Sequence, residues 1–473
     1  MTGTLEGVRT RLRRLTVPLL LLAGLGVSAC TSTIAGTPTS SGSVVTQTAP
    51  GEPGGVDPAF VKNTDKGPID RLAAAVLTDV RSYWTETFPD TFGGDWEDLS
   101  GGYYSVDTAN DKSPKPPCVD QASEVEGNAF YCPSADAMAW DRAALLPVLK
   151  ERFGEAAVML VLAHEMGHAV QRRAGLSVEK QQAEPDKYPT ILIEAQADCF
   201  AGSFVRWVVD DNATYLHVAD DGLDPALESL ITFRDPVGTE QTDKGAHGDA
   251  FDRVSAFQDG YDSGAKLCSE MSVDNRTFTQ SGFIDQSDAA NNGNLKFDQM
   301  LTSITPNLND YFKGVVTKGG QQWREPKLTP TEQHPDCTDA DQGPVAYCPE
   351  GTQVDYDTKD ELPKIHTTIG DYATGTLLAS RFALAALADL KKPTEGSDAQ
   401  HGTVCLAGSF TGSLLGRAEQ YLSPGDLDEA IQVLLSYDYA ARDMTGKGIE
   451  TGFERVRAFR KGVLEGDKAC GIG

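Results

Sequence analysis

Within "VLAHEMGHAV", residues 161–170, three ionisable side chains interrupt a run that is otherwise apolar or small: His164, Glu165 and His168. Positions i and i+4 share one face of a helix, so two imidazoles one turn apart can reach a single metal ion. Glu165, next to a ligand in sequence, cannot point at that ion as His164 does and is free to act as a base. The spacing H-E-x-x-H is therefore that of a zinc site with its own carboxylate base. The plainer alternative is a core histidine with polar neighbours.

A catalytic zinc needs a third protein ligand and an open fourth position. The third histidine of the longer H-E-x-x-H-x-x-G-x-x-H arrangement is missing. Downstream, "ILIEAQADCFAGSFVRWVV" reads as another helix, with Glu194 and Asp198 four apart on one face. Glu194 can supply the third ligand, and Asp198 can accept the outer N–H of a ligating imidazole. The chemistry expected of such a set is hydrolysis by a zinc-bound water, with Glu165 as general base and no covalent intermediate.

The elements that must hold these residues are legible. "EAAVMLVLAHEMGHAVQRRAG" is rich in helix formers, with Glu155 in its first turn, Arg172 and Arg173 in its last, and Gly175 as a stop. "NAFYCP" and "AMAW" read as a hairpin about Pro133-Ser134-Ala135-Asp136, an edge that could hold an extended peptide by strand addition.

The chain also contains itself twice. Tyr131-Cys132-Pro133 matches Tyr347-Cys348-Pro349, and without a gap Asp141, Pro147, Gly154 and Ala163 fall on Asp357, Pro363, Gly370 and Ala379. "CFAGSF" from Cys199 matches "CLAGSF" from Cys405, and "FDRVSAFQDGYDSGAKLC" matches "FERVRAFRKGVLEGDKAC". Three matched blocks in one order indicate a tandem duplication with a period too long for a solenoid. In the second copy Ser380, Arg381 and Leu384 stand opposite His164, Glu165 and His168, while Gln400 and Val404 stand opposite Glu194 and Asp198. Their joint loss marks them as a unit, needed in one copy only. The duplication predicts one Zn2+ per chain and a second copy that keeps the fold without the metal.

At 473 residues the chain is long enough for two domains, and 40% hydrophobic with 23% charged residues is a globular composition. A formal net charge of −28, spread along the chain, argues against nucleic acid as a partner. Arg9, Arg11, Arg13 and Arg14 precede the apolar run Leu15 to Val27, the layout of a secretory signal, and "VSAC" resembles a bacterial lipobox with Cys30 as the lipidated residue. A Ser/Thr/Gly/Pro-rich tether follows. The expected divisions are a lipoprotein signal peptide at 1–29, a flexible tether at 30–58, a metallopeptidase domain at 59–272, a linker at 273–284 and a degenerate domain at 285–473. Lipid anchoring places the protein on the outer face of the cell membrane. Outside the cytoplasm cysteines pair. Four per copy leave three connectivities each, and closing the local loop first gives Cys118–Cys132, Cys199–Cys268, Cys337–Cys348 and Cys405–Cys470.

"NAFYCPSADAMAWD", "VLAHEMGHAVQ", "IEAQADCFAG" and "AHGDAFDRVSAFQDGYDSGAKLC" together resemble the bacterial neutral zinc metallopeptidase family, and the tandem layout resembles actinobacterial lipoprotein peptidases. The resemblance covers most of residues 100–268. It implies an α+β, zincin-like fold, mainly helical with a small antiparallel sheet, and His164, His168 and Glu194 as ligands with Glu165 as base. It also implies a peptide or protein substrate, here one in the cell envelope. His247 sits where the family has a histidine and has two readings, an oxyanion stabiliser or a helix cap. Two other functions fit the same residues: a binding or scaffolding lipoprotein, and a zinc hydrolase of a non-peptide substrate.

Overall fold

The computed structural model describes residues 56–472, apart from 219–221, 244 and 416–421. The expected signal peptide, Cys30 and all but the last residues of the tether lie outside them.

The first half begins with β1 (Val61–Lys62), α1 (Pro68–Phe92) and β2 (Gly102–Val106). The hairpin β3 (Ala129–Cys132) and β4 (Ala137–Asp141) follows, with Asp136 at its turn at positive φ. Then come α2 (Leu145–Arg173), α3 (Val178–Ala183), α4 (Thr190–Val209), α5 (Leu223–Thr232) and α6 (Ala250–Ser269). The strands order as β1-β2-β4-β3, so β3 is an edge. This corrects the expectation of an antiparallel sheet: β1–β2 and β2–β4 pair in parallel, and only β3–β4 is antiparallel. The reason is connectivity. Helix α1 provides the crossover that parallel pairing of β1 and β2 requires, and a strand of two residues leaves no periodicity to read.

The second half runs α7 (Gln286–Ala290), α8 (Phe297–Lys318), β5 (Lys327–Thr331), β6 (Val345–Cys348), β7 (Gln353–Asp357), α9 (Glu361–Thr368), α10 (Asp371–Asp389), α11 (Ser397–Leu414), α12 (Asp426–Ser436) and α13 (Gly452–Glu465). Its sheet orders as β5-β7-β6, with β5 parallel and β6 antiparallel to β7.

Gly154 interrupts α2 at φ 79° and ψ −178°, a conformation open to glycine alone, so the helix that carries the motif restarts at Glu155. Helices α4 and α6 touch backbone to backbone. A Cβ on Gly202 would stand inside the Phe257 carbonyl, and one on Gly260 inside that of Cys199. Gly408 and Gly462 bring α11 onto α13 in the same way. The repeated "AGSF" glycine is thus a close-packing residue in both halves. Disulfides join Cys118 to Cys132, Cys199 to Cys268, Cys337 to Cys348 and Cys405 to Cys470.

One hydrophobic core continues through both halves, from Val61 to Cys470. At their junction Asp224 of α5 accepts the N–H groups of Gly452 and Phe453, which open α13, and the rings of Tyr261 and Phe453 meet at 4.8 Å. The segment 273–284 lies along α6, where the N–H groups of Thr279 and Gln280 are held by the carboxylate of Asp252. No described helix is long and apolar enough to cross a membrane.

Candidate metal centre

The third and fourth turns of α2 after its break carry the motif towards α4. Gly167, between the two histidines, is where these helices approach: a Cβ there would meet Ala197 Cα at 3.0 Å. That approach brings Glu194 to the imidazoles. Its Oε2 lies 3.2 Å from His164 Nε2 and 3.5 Å from His168 Nε2. One potential ligand atom from each of the three lies within 4.8 Å of the others.

The outer nitrogen of each imidazole is anchored. His164 Nδ1 is 2.7 Å from Asp198 Oδ1, an arrangement in which Nδ1 carries the proton and Nε2 faces Glu194. Asp198 is itself clamped by Arg253 of α6, with Nε at 2.8 Å from Oδ2 and Nη2 at 2.9 Å from Oδ1. His168 Nδ1 lies 3.0 Å from Gln171 Oε1, and the Gln171 amide is fixed by donating to Ile193 O and Gln196 Oε1. Glu165 is not part of the three. Its Oε2 accepts the backbone N–H of Tyr131 on edge strand β3 at 2.8 Å.

The charges constrain one another. Burial pushes Asp198 up, but Arg253 and His164 outweigh it and hold the carboxyl at about 2. Burial likewise opposes the charged form of His164, but Asp198 and Glu194 raise it to about 10. Burial raises Glu165, against the pull of the two histidines. Glu194 lies well below the usual range, because His168 and His164 overcome its burial. Four mutually dependent ionisable groups in one buried place are a strained arrangement for protons alone. They suit a cation. Two Nε2 atoms with oriented imidazoles and one carboxylate oxygen form the donor set of a three-ligand zinc site with an open position.

His247 stands apart from these three. Its ring is half exposed, with Nδ1 3.4 Å from Asp235 Oδ1, and its backbone N–H donates to Asp235 Oδ2. The cap of α6 is Asp249, which accepts the N–H of Asp252, so the capping role read for His247 belongs to another residue. The hydrogen bond to Asp235 raises His247 against its burial, and the Glu194 charge adds to the shift. A cavity of about 250 Å³ opens beside the centre, lined by Tyr131, Pro133, His168, Arg172, Val178 and Glu194. A larger one, about 310 Å³, lies between the halves beside Asp235, Asp249 and Asp428, with neither His164 nor His168 in its lining. The smaller cavity is the one that meets the chemistry.

Sequence reasoning missed Gln171 and Arg253 as anchors. Arg253 was visible as a repeated position. In the second half its counterpart Arg455 donates to the carbonyls of Leu434, Leu435 and Ile449 instead. Gln171 gave no signal beyond standing three residues after His168.

The positions opposite the motif are buried in the second half. Arg381 donates to Gln342 Oε1 and to the carbonyls of Tyr439 and Ala440. Gln342 in turn brackets Tyr347 on β6, accepting its N–H and donating to its carbonyl at 3.1 Å each. Gln400 donates to Asp443.

A helix pair presenting two imidazoles, a carboxylate and a separate acid is an arrangement that metallohydrolase chemistry can use. Residues 62–271 match the family described as "Putative neutral zinc metallopeptidase". Among curated proteins, the chain is 29% identical to the Uncharacterized protein YpfJ of Escherichia coli (strain K12) over 150 residues, 28% of this chain and 50% of the relative. It is 31% identical to the Uncharacterized protein Rv2575 of Mycobacterium tuberculosis (strain H37Rv) over 174 residues, 33% of this chain and 58% of the relative. The chain spans about half the length of the curated relatives it matches. No solved structure matches. The description of the matched family names zinc and peptidase activity.

Proposed function

We propose that the protein is an exported, lipid-anchored zinc peptidase with one active centre, in residues 59–272. The observation that carries this is the convergence of His164, His168 and Glu194, with Asp198 fixing the outer nitrogen of His164 while Glu165 stays outside the set. These three would hold one zinc ion. When bound, zinc supplies Lewis acidity towards water and the scissile carbonyl.

The chain's own residues do the rest. Glu165, raised by its burial, takes a proton from the attacking water and passes it to the leaving amine. In the free protein this carboxylate rests on the Tyr131 N–H, so the base is already held at the free edge of the sheet. An extended peptide beside β3 passes both the base and the metal ligands. His247, steadied by Asp235, is the candidate for stabilising the developing oxyanion.

The second half, residues 285–473, is a degenerate copy. Its strand pairing and its glycine-mediated helix contact parallel those of the first half. Arg381 and Gln342 occupy its would-be base position and its strand edge. The N-terminal segment directs export, and lipidated Cys30 tethers the protein outside the cell membrane. The experiment is a terminal-labelling comparison of envelope peptides from cells carrying the native protein or Glu165→Gln. New termini that require Glu165 support the proposal, and identical peptide sets reject it.

A further inference from the structure

Three acids meet in the interior of the second half. Asp371 opens α10, and Asp426 and Glu429 lie in the first turn of α12. They are 3%, 6% and 7% exposed, and one potential ligand oxygen from each lies within 4.8 Å of the others. Each spends one oxygen on a backbone N–H: Asp371 Oδ2 on Leu295, Asp426 Oδ2 on Ser423, Glu429 Oε2 on Tyr372. Asp371 Oδ1, in contrast, is fully buried without an N–H donor, and the Asp371 carboxyl lies within hydrogen-bonding reach of that of Glu429. Among the described residues no Lys, Arg or His pairs with any of the three. The cluster is also built closely. A Cβ on Gly370 would stand inside the Glu429 carboxyl, so this glycine makes the space that the acid fills.

Buried carboxylates at this separation cannot all be ionised without a positive partner. Two helix N-termini contribute partial charge, but the N–H groups of Leu295, Ser423 and Tyr372 each serve one oxygen of an acid, and the remaining oxygens still face one another. We infer that Asp371, Asp426 and Glu429 form a second metal site, one for a hard divalent cation held by oxygen ligands and separate from the histidine centre. Calcium fits better than magnesium, which retains several waters and would sit poorly in so dry a place. Zinc is better served by the imidazoles of the other centre. Burial raises all three acids; repulsion adds to it at Asp426 and Glu429, whereas a hydrogen bond with Glu429 lowers Asp371. Among the described residues such an acid cluster is found in the second half only: α5 opens Leu223-Asp224-Pro225-Ala226 after Gly222, whereas α12 opens Asp426-Leu427-Asp428-Glu429 after Gly425. It ties the entry to α8, the start of α10 and the start of α12, and the neighbouring Asp428 accepts the N–H of Ala250 on α6.

The test uses the full mature chain, stripped of metal and reloaded with zinc, then dialysed against calcium chloride at pH 7.5. Metal analysis should find one calcium per chain, and at a hundredfold excess over Kd the Tm should rise by about 3 °C. Glu429→Gln, whose amide can satisfy Asp371 Oδ1, should lose both the calcium and the shift while keeping its zinc. Asp426→Asn provides a second variant with the same expectation. Absence of bound calcium in the native chain would overturn the site and leave shared protons as the positive partner. So would calcium binding that survives in both variants.

Discussion

Replacing Asp198 by Asn keeps the shape of the side chain and removes its charge from between two donors. In the native chain Oδ1 takes the His164 Nδ1 proton at 2.7 Å, and the carboxylate takes two Arg253 N–H groups at 2.8 and 2.9 Å. An amide has one accepting oxygen, so its NH2 must turn towards either His164 or Arg253, both already donors. If the oxygen stays with Arg253, His164 loses its tautomer and its orientation. Anchors of this kind are worth about 10–100-fold in metal affinity, or about 1.4–2.7 kcal/mol. A second effect falls on stability without metal. Arg253 is 6% exposed and would lose its acid, a change of about 3–5 kcal/mol. Its retained bond to Phe233 O puts the cost at the lower end of that range. Zinc competition against a chelator of known affinity measures the first effect, and denaturant unfolding of the stripped protein measures the second. The Arg253→Met background separates them: there the zinc penalty of Asp198→Asn should persist while the stability penalty shrinks. A zinc affinity within twofold of native for Asp198→Asn would refute the reasoning, as would a penalty that disappears with Arg253.

Breaking Cys199–Cys268, which closes 69 residues between α4 and α6, should cost about 4 kcal/mol, against about 3 for Cys118–Cys132 with 14; denaturant unfolding of the paired Ala variants gives both values. Burial, opposed by Arg234, holds Asp428 up at about 6, so its native form binds a proton that the unfolded chain releases. Its stabilising contribution is complete below about pH 4 and is lost as pH rises through 6, on the order of 3 kcal/mol. Asp428→Asn should therefore flatten unfolding free energy between pH 4 and 6 in chelator, and an unchanged slope would contradict this. Gly202→Val should force α4 off α6 and remove Glu194 from the histidines, so that the variant loses zinc along with several kcal/mol of stability; a variant that keeps native zinc affinity would show that the close contact does not position the ligand.

Much of the centre could be read from residue types because its chemistry dictates spacing. His164 and His168 must be one turn apart, and Glu194 and Asp198 must share a face, so each pair is a local pattern on a helix. The joint replacement of all of them in the second half made the set visible as a unit. What was hidden depends on contacts between distant elements. Gln171 and Arg253 are ordinary helix residues until packing brings them to His168 and Asp198. The parallel pairing of β1 with β2 rests on two residues and a long crossover. The fit of Glu429 over Gly370 joins residues 59 positions apart, beyond any local pattern. Glycine carried more information than the sequence first suggested. Gly154, Gly167 and Gly202 each hold a place that a side chain would destroy or distort, and only the backbone reveals which.

The most direct measurement pairs metal content with peptide cleavage for one substitution. The native chain and Glu165→Gln, loaded identically, are analysed for zinc and incubated with a mixed peptide library read by mass spectrometry. The expected result is one zinc per chain in both, with cleavage by the native chain and a loss of several orders of magnitude in the variant, while His168→Ala loses the metal itself. Near-native cleavage by Glu165→Gln, or zinc held as tightly after His168→Ala, would contradict the central claim.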